Sequence, residues 1–134
     1  MNKIKCYNQI MKSKESEEMY LETILLLEKE KGSVISHDIV DKLNYAKSSV
    51  SRGVNLLKEK GYVIIDSNTG KINFTVSGKE RARNVYERHQ TFTKLFVSFG
   101  ANKDLAEDNA CRVEHVISDE MYQIIKNHFK DEID

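Results

Sequence analysis

The sequence predicts a mainly α protein: an N-terminal winged helix-turn-helix domain over residues 1–75, then an α-helical domain over residues 76–134. Three observations carry this. Three helical stretches lead directly into two short β-type runs around a turn, and the third stretch opens on small and polar residues. After Thr75 the helical periodicity returns and persists almost to the end.

Residues 1–15 show no periodicity and read as a polar arm. Ser16 is suited to cap the first helix, with Glu17 and Glu18 in its first turn, where the helix dipole favours acids. Tyr20, Ile24 and Leu27 recur at helical spacing, and Gly32 stands where a left-handed residue ends a helix. Val34-Ile35 is a short extended link, and Ser36 is placed to cap a second helix, His37 to Leu43, with Ile39, Val40 and Leu43 facing inward. After Asn44-Tyr45 a third helix runs from Lys47 to Lys60 on Val50, Val54 and Leu57, until Gly61 stops it. Tyr62–Ile65 and Lys71–Thr75 then read as strands across the turn Asp66–Gly70, which is the wing. Ser77-Gly78-Lys79-Glu80 has the form of a capping box, opening a long helix through Val85, Tyr86, His89, Phe92, Leu95 and Phe96 to about Gly100. Asn102 can cap the next helix, through Leu105, Ala110, Val113, Val116 and Ile117. Ser118 can cap the last, through Met121, Tyr122, Ile124, Ile125 and Phe129. These helices carry more apolar surface than a winged helix needs, which predicts a homodimer interface.

Hydrophobic residues at 40% and charged residues at 31% describe an ordinary globular protein. No apolar run approaches the roughly 20 residues that a membrane span needs. The basic start, Met1-Asn2-Lys3-Ile4-Lys5, has no apolar signal core, so the expected location is cytoplasmic, with no membrane partner. Cys6 and Cys111 lie far apart and form no framework, so both thiols are expected to be reduced. The net charge of zero argues against a generic polyanion binder. The charge is uneven, however: Lys42, Lys47, Arg52, Lys58 and Lys60 crowd one segment, and the chain carries about +2 up to Thr75 and about −2 after it.

A winged helix binds double-stranded DNA by laying its third helix in the major groove. Arg52 is the candidate for a base-edge contact, since a guanidinium can grip guanine O6 and N7 together. Ser48, Ser49 and Ser51 are short enough to allow close approach and can bond phosphates, while Lys47 and Lys71 reach phosphate as point charges.

The stretch Ala110-Cys111-Arg112-Val113-Glu114-His115-Val116-Ile117-Ser118-Asp119-Glu120 holds the other candidate chemistry. Read as a helix, it sets Cys111 beside Glu114 (i, i+3) and His115 (i, i+4) on one face. A thiolate, a carboxylate and an imidazole suit a mid-to-late first-row divalent metal. Three ligands on one helix leave positions open, so another segment must close the site. A solvated amphipathic helix with Cys111 buried as a small hydrophobe has the same spacing.

Four segments together resemble the diphtheria-toxin-repressor family of iron- and manganese-dependent transcriptional regulators: Glu18-Met19-Tyr20-Leu21, Lys47-Ser48-Ser49-Val50-Ser51, Arg88-His89, and the stretch from Ala110 to Glu120. The likeness covers about residues 16–129 and matches the two-domain type without a further C-terminal barrel-like domain. It implies a homodimeric repressor of metal-uptake genes that binds operator DNA when loaded with metal. It also implies a regulatory site of Met19, Cys111, Glu114 and His115, with His89 matching a histidine of the family's other site. That histidine's iron-type companions fall here at Thr93 and Glu107, a departure from the pattern, whereas Glu22 matches an acidic position of the manganese branch. Thioether and thiolate donors favour Fe(II), with Mn(II) the alternative.

Two other functions compete. A metal-independent winged-helix regulator would sense a small organic ligand between its helices. A metallohydrolase would need an open metal position and a general base in a cleft. The chain has no His-Glu-x-x-His and no nucleophile motif, so no enzymatic activity is expected.

Overall fold

The computed structural model describes residues 13–130. In order these form α1 (Ser13–Lys31), α2 (Ser36–Leu43), α3 (Lys47–Glu59), β1 (Val63–Ile65), β2 (Ile72–Phe74), α4 (Val76–Ser98), α5 (Lys103–Glu114) and α6 (Asp119–His128). The described residues divide into two compact units, one ending at Arg83 and the other beginning at Asn84, within α4. The arm expected over residues 1–15 lies mostly outside the described residues, as does Cys6.

The first unit has the three-helix-and-hairpin order expected of a winged helix. α1 packs on α2 and α3, and α3 packs on β1. Ile24, Leu27, Ile39, Leu43, Val50, Val54 and Leu57 are buried, the positions that helical spacing had put inward. Val40 is only half-buried. The hairpin pairs Val63 with Phe74 and Ile65 with Ile72, antiparallel. Val34 adds an isolated bridge to Ile72, so the extended link after α1 extends the hairpin's hydrogen bonding.

Two glycines fix close approaches in this unit. A Cβ on Gly53 would come 2.2 Å from Cε2 of Tyr20, so the Tyr20 ring crosses α3 where only hydrogen fits. A Cβ on Gly78 would come 1.8 Å from the Tyr62 carbonyl oxygen, so the start of α4 lies directly against the hairpin. Glu17 pairs with Lys60 at 2.5 Å and with Arg81 at 2.8 Å, linking three elements.

Three expected helix starts shift. α1 already begins at Ser13, so Ser16 lies inside the helix. The residue before α2 is Ile35, whose N–H donates to the Asp38 carboxylate at 2.9 Å, and Ser36 is the first helical residue. At α4, Thr75 Oγ1 accepts from the Gly78 N–H at 3.1 Å and itself donates to the Gly61 carbonyl at 2.6 Å. Thr75 caps this helix, because its oxygen accepts the Gly78 N–H, whereas Ser77 already lies inside the helix and donates to the Gly61 carbonyl at 3.3 Å. Asn102 and Ser118 cap α5 and α6 as expected, accepting from Leu105 N at 2.9 Å and Met121 N at 3.1 Å.

In the second unit Phe92, Leu95, Ala110 and Tyr122 form a core, with Phe96, Val113, Ile117, Ile125 and Phe129 packed against it. The Tyr122 hydroxyl shares a 3.1 Å hydrogen bond with Thr91, so the buried phenol is satisfied. α5 ends at Glu114 with His115 as its C-cap, so Val116 and Ile117 fall in the link to α6 rather than in the expected longer helix.

Candidate metal centre and nucleic-acid interface

α5 carries Cys111 and Glu114 on its last turn, and His115 at its C-cap retains a right-handed φ of −87°. The i, i+3, i+4 face therefore survives the early end of the helix. One donor atom each from Cys111, Glu114 and His115 lies within 4.8 Å of the others, and all three residues are buried. Donors about 2.0–2.3 Å from a shared ion stand roughly 3–4.5 Å apart, so a small contraction would seat one.

His89 on α4 joins the group from the other side. Its Nδ1 lies 2.8 Å from Glu114 Oε2, while His115 Nε2 lies 3.2 Å from Glu114 Oε1. These are hydrogen-bond distances without hydrogen-bond angles, and neither Glu114 oxygen has a hydrogen-bond partner of acceptable geometry. Glu114 is 0% exposed. A carboxylate held out of water needs a positive charge beside it, supplied either by imidazolium or by a cation that the oxygens and ring nitrogens approach together. A donor set of one carboxylate and two imidazoles, joined by the Cys111 sulfur only once it is reduced, fits a first-row divalent ion.

Arg88, the residue before His89, fixes the helix end that carries Glu114 and His115. Its Nη1 donates to the Glu114 carbonyl at 3.2 Å and the Ile117 carbonyl at 3.1 Å, its Nε to Asn84 at 3.2 Å, and its Nη2 pairs with Asp119. The last carbonyls of a helix have no partner within it and carry the negative end of its dipole, so a guanidinium there satisfies both needs. Its carbon face also lies over the Tyr122 ring, 5.3 Å from the centroid.

Cys111 is disulfide-bonded, which overturns the expectation of reduced thiols. A sulfur in a disulfide offers no thiolate, so Cys111 is a metal ligand only after reduction. Glu107, one turn earlier on α5, is half-buried, 4.0 Å from Lys103, and outside the three-residue group. Met19 and Glu22 belong to the other unit, on α1, and both are buried. Met19 Sδ accepts from the Tyr45 hydroxyl at 3.5 Å, and its carbonyl accepts from Thr23 at 2.7 Å. The fold buries both Glu22 and His89, side chains that an isolated helix would leave in water.

The DNA candidates lie on exposed surface of the first unit. Lys47, Ser48, Ser51 and Arg52 are exposed along the N-terminal half of α3, Ser49 is half-buried, and Lys71 is exposed at the wing's return. The Ser49 carbonyl accepts from the Tyr20 hydroxyl at 3.3 Å, which anchors the first turn of α3 to α1. In the wing turn, Asp66 accepts from the N–H groups of Asn68 and Thr69, and these bonds, Thr69's first, lower its pKa. The sequence reading missed the roles of Arg88, Tyr45 and Gly53. Only Gly53 left a signal, as a glycine inside a helical pattern, where close packing by a neighbour is a common reason.

Residues 12–70 match the family described as iron dependent repressor, N-terminal DNA binding domain. Residues 75–131 match its metal binding and dimerisation domain. No curated protein sequence matches significantly. Among solved structures, the manganese regulator SloR superposes with a TM-score of 0.71 at 22% identity, covering 85% of this chain and 53% of that one. A hypothetical protein from Sulfolobus solfataricus gives 0.69 at 22%, covering 84% of this chain and 88% of that one. IdeR of T. acidophilum gives 0.65 at 23%, covering 90% of this chain and 55% of that one. At these identities the likeness speaks to the fold, and the chain spans about half the length of SloR and of IdeR.

Proposed function

Since the chain belongs to the iron-dependent repressor family, matched in both of its domains, we propose that it is a metal-dependent, DNA-binding transcriptional repressor acting as a homodimer on double-stranded operator DNA in the cytoplasm. In this reading residues 1–75 bind DNA and residues 76–134 bind metal and dimerise. The single observation that carries it is the wholly buried Glu114 carboxylate, faced by two imidazole nitrogens and with the Cys111 sulfur close by.

Cys111, Glu114 and His115 are the ligands we assign first, with His89 beside them. Met19 and Glu22 of α1 are the further ligands that the family resemblance supplies, and Glu107 is the weakest of the set. Bound there, a divalent ion supplies a charge that can be present or absent, and so a signal. Thioether and thiolate donors favour Fe(II), and the acid at Glu22 keeps Mn(II) as the alternative. Arg52 reads base edges from α3, Ser48, Ser49 and Ser51 allow the helix in, and Lys47 and Lys71 neutralise phosphate. The regulated genes are then those of metal uptake.

Dimerisation is supported by an apolar groove of about 430 Å³ in the second unit, lined by Phe96, Phe99, Leu105 and Val113 among others. Phe99 and Leu105 are 62% and 53% exposed, more than an isolated chain leaves in one patch without cause.

The test is binding to DNA from the chain's own promoter region, titrated anaerobically with Fe(II) and separately with Mn(II), with thiols reduced. A metal-dependent gain in affinity is expected. Because linkage is reciprocal, DNA must tighten metal binding by the same factor, roughly 5–150-fold for a coupling of 1–3 kcal/mol. DNA affinity unchanged across both titrations refutes the reading and favours a regulator that answers an organic ligand in the groove.

A further inference from the structure

The exposed face of α3 carries more than the residues already assigned to DNA. Val50, Val54 and Leu57 are buried and fix the inward direction of the helix. At about 100° per residue, the positions pointing most directly away from them are Ser48, Arg52, Asn55 and Glu59, one ridge spaced i, i+4, i+7 and i+11. All four are exposed. Asn55 stands three residues beyond Arg52, a rise of about 4.5 Å along the axis. A base pair rises about 3.4 Å, so the two side chains face pairs one or two steps apart.

Asparagine is a poor helix former, and an exposed Asn55 gains no burial in return for its place in the interior of α3. A position that breaks a local rule without a packing reason is where function is expected. The amide is nonetheless oriented. A helical side chain leans toward the N-terminus of its helix, and Asn55 Nδ2 donates to Ser51 Oγ at 3.5 Å, one turn back. The amide has two hydrogens and an acceptor oxygen. One hydrogen goes to Ser51, which leaves Oδ1 and the other hydrogen for a partner on the exposed side. That pair matches the major-groove edge of adenine, whose N6 donates and whose N7 accepts. Glu59, the last residue of the ridge, carries a charge that phosphates repel, so the ridge reads DNA from its Ser48 end as far as Asn55. We propose that Asn55 is a second base-reading residue, selecting an adenine one or two base pairs from the pair that Arg52 contacts. This deepens the reading of the chain as a DNA-binding repressor and rests on it.

The test is selection of duplexes from a random-sequence pool by the full-length chain, reduced and loaded anaerobically with Mn(II), set beside Asn55→Ala and Arg52→Ala. Alanine raises helix propensity at an exposed position, so Asn55→Ala keeps the fold. The unaltered chain is expected to enrich half-sites with a guanine and an adenine one or two pairs apart. Asn55→Ala should keep the guanine and lose the adenine, and Arg52→Ala should do the reverse. In the enriched duplex, changing that A·T pair to G·C should weaken the unaltered chain roughly 5- to 150-fold and Asn55→Ala less than about twofold. Replacing the adenine by 7-deazaadenine, which keeps its pairing and removes only the N7 acceptor, should also weaken the unaltered chain several-fold and leave Asn55→Ala unmoved. An adenine preference that survives in Asn55→Ala overturns the proposal, as does 7-deazaadenine binding as well as adenine. A loss in Asn55→Ala spread equally over enriched and random duplexes overturns it too, since that marks a phosphate contact. If the unaltered chain enriches guanine but no adenine, the proposal alone fails. If it enriches no sequence with Mn(II), with Fe(II) or without metal, the DNA-binding reading fails and the proposal with it.

Discussion

Replacing Arg88 by methionine should cost the second unit about 3 kcal/mol, a figure that follows from what the guanidinium holds. Arg88 is 7% exposed and donates to two backbone carbonyls, Glu114 in a buried setting and Ile117 in a partly buried one. A buried carbonyl left without a donor costs ~1–3 kcal/mol; water can partly replace the donor at Ile117, so that bond is worth ~1 kcal/mol. A cation at a helix C-terminus adds ~0.3–1 kcal/mol. The pair with Asp119 adds little, because that carboxylate is 78% exposed and solvent screens it. Methionine keeps most of the apolar stem, so the loss reports hydrogen bonds and charge rather than packing. Urea denaturation followed by helical circular dichroism measures the cost. Amide exchange over residues 111–118 localises it to the end of α5. Arg88→Lys keeps the charge but cannot fork to both carbonyls, and should recover about half of the loss. A stability change for Arg88→Met within about 0.5 kcal/mol of zero refutes the argument, since that is what an exposed surface residue gives.

Gly53→Ala drives a Cβ into the Tyr20 ring and should destabilise the first unit by ~1–3 kcal/mol in thermal denaturation, with Tyr20→Leu restoring part of the loss. Because Cys111 is disulfide-bonded, Co(II) should produce a sulfur-to-metal charge-transfer band only after the chain is reduced, and none in Cys111→Ser; an undiminished band in reduced Cys111→Ser would show that this sulfur is not the ligand. Phe99→Glu should shift the sedimentation coefficient from dimer to monomer at micromolar concentration, whereas an unchanged value places the interface elsewhere. Arg52→Ala should lose ~1–3 kcal/mol of discrimination between promoter and random DNA. Lys71→Ala should weaken both kinds of DNA equally and flatten the salt dependence by about one unit of slope.

The helix and hairpin order was readable because it is written in local, repeating information. Val50, Val54 and Leu57 share one face of α3 whatever they pack against, and Gly32, Gly61 and Gly100 take the left-handed backbone that stops a helix. Cys111, Glu114 and His115 were equally legible, since one turn of helix sets their spacing. Three helix starts were misread for one reason. Ser16, Ser36 and Ser77 all have an oxygen that can cap, but which residue caps depends on where the preceding chain comes from. At α4 the Gly61 carbonyl, brought near by the hairpin, takes up both Thr75 and Ser77, and Thr75, two residues earlier, is the one whose oxygen also accepts a helix N–H.

The amino-acid order by itself determined the class of fold and the chemical types of ligand. It did not determine which of those side chains lose their water. His89 and Glu114 are separated by a helix end, a turn and most of α5, and nothing periodic links them. Only the packing of α4 against that last turn sets an imidazole 2.8 Å from a carboxylate with no exposure. The same holds for the Arg88 grip on two carbonyls and for Tyr45 on the Met19 sulfur. A hydrogen bond depends on distances of a few tenths of an ångström, and burial decides its worth. Both are properties of the assembled fold, which no short stretch of sequence encodes.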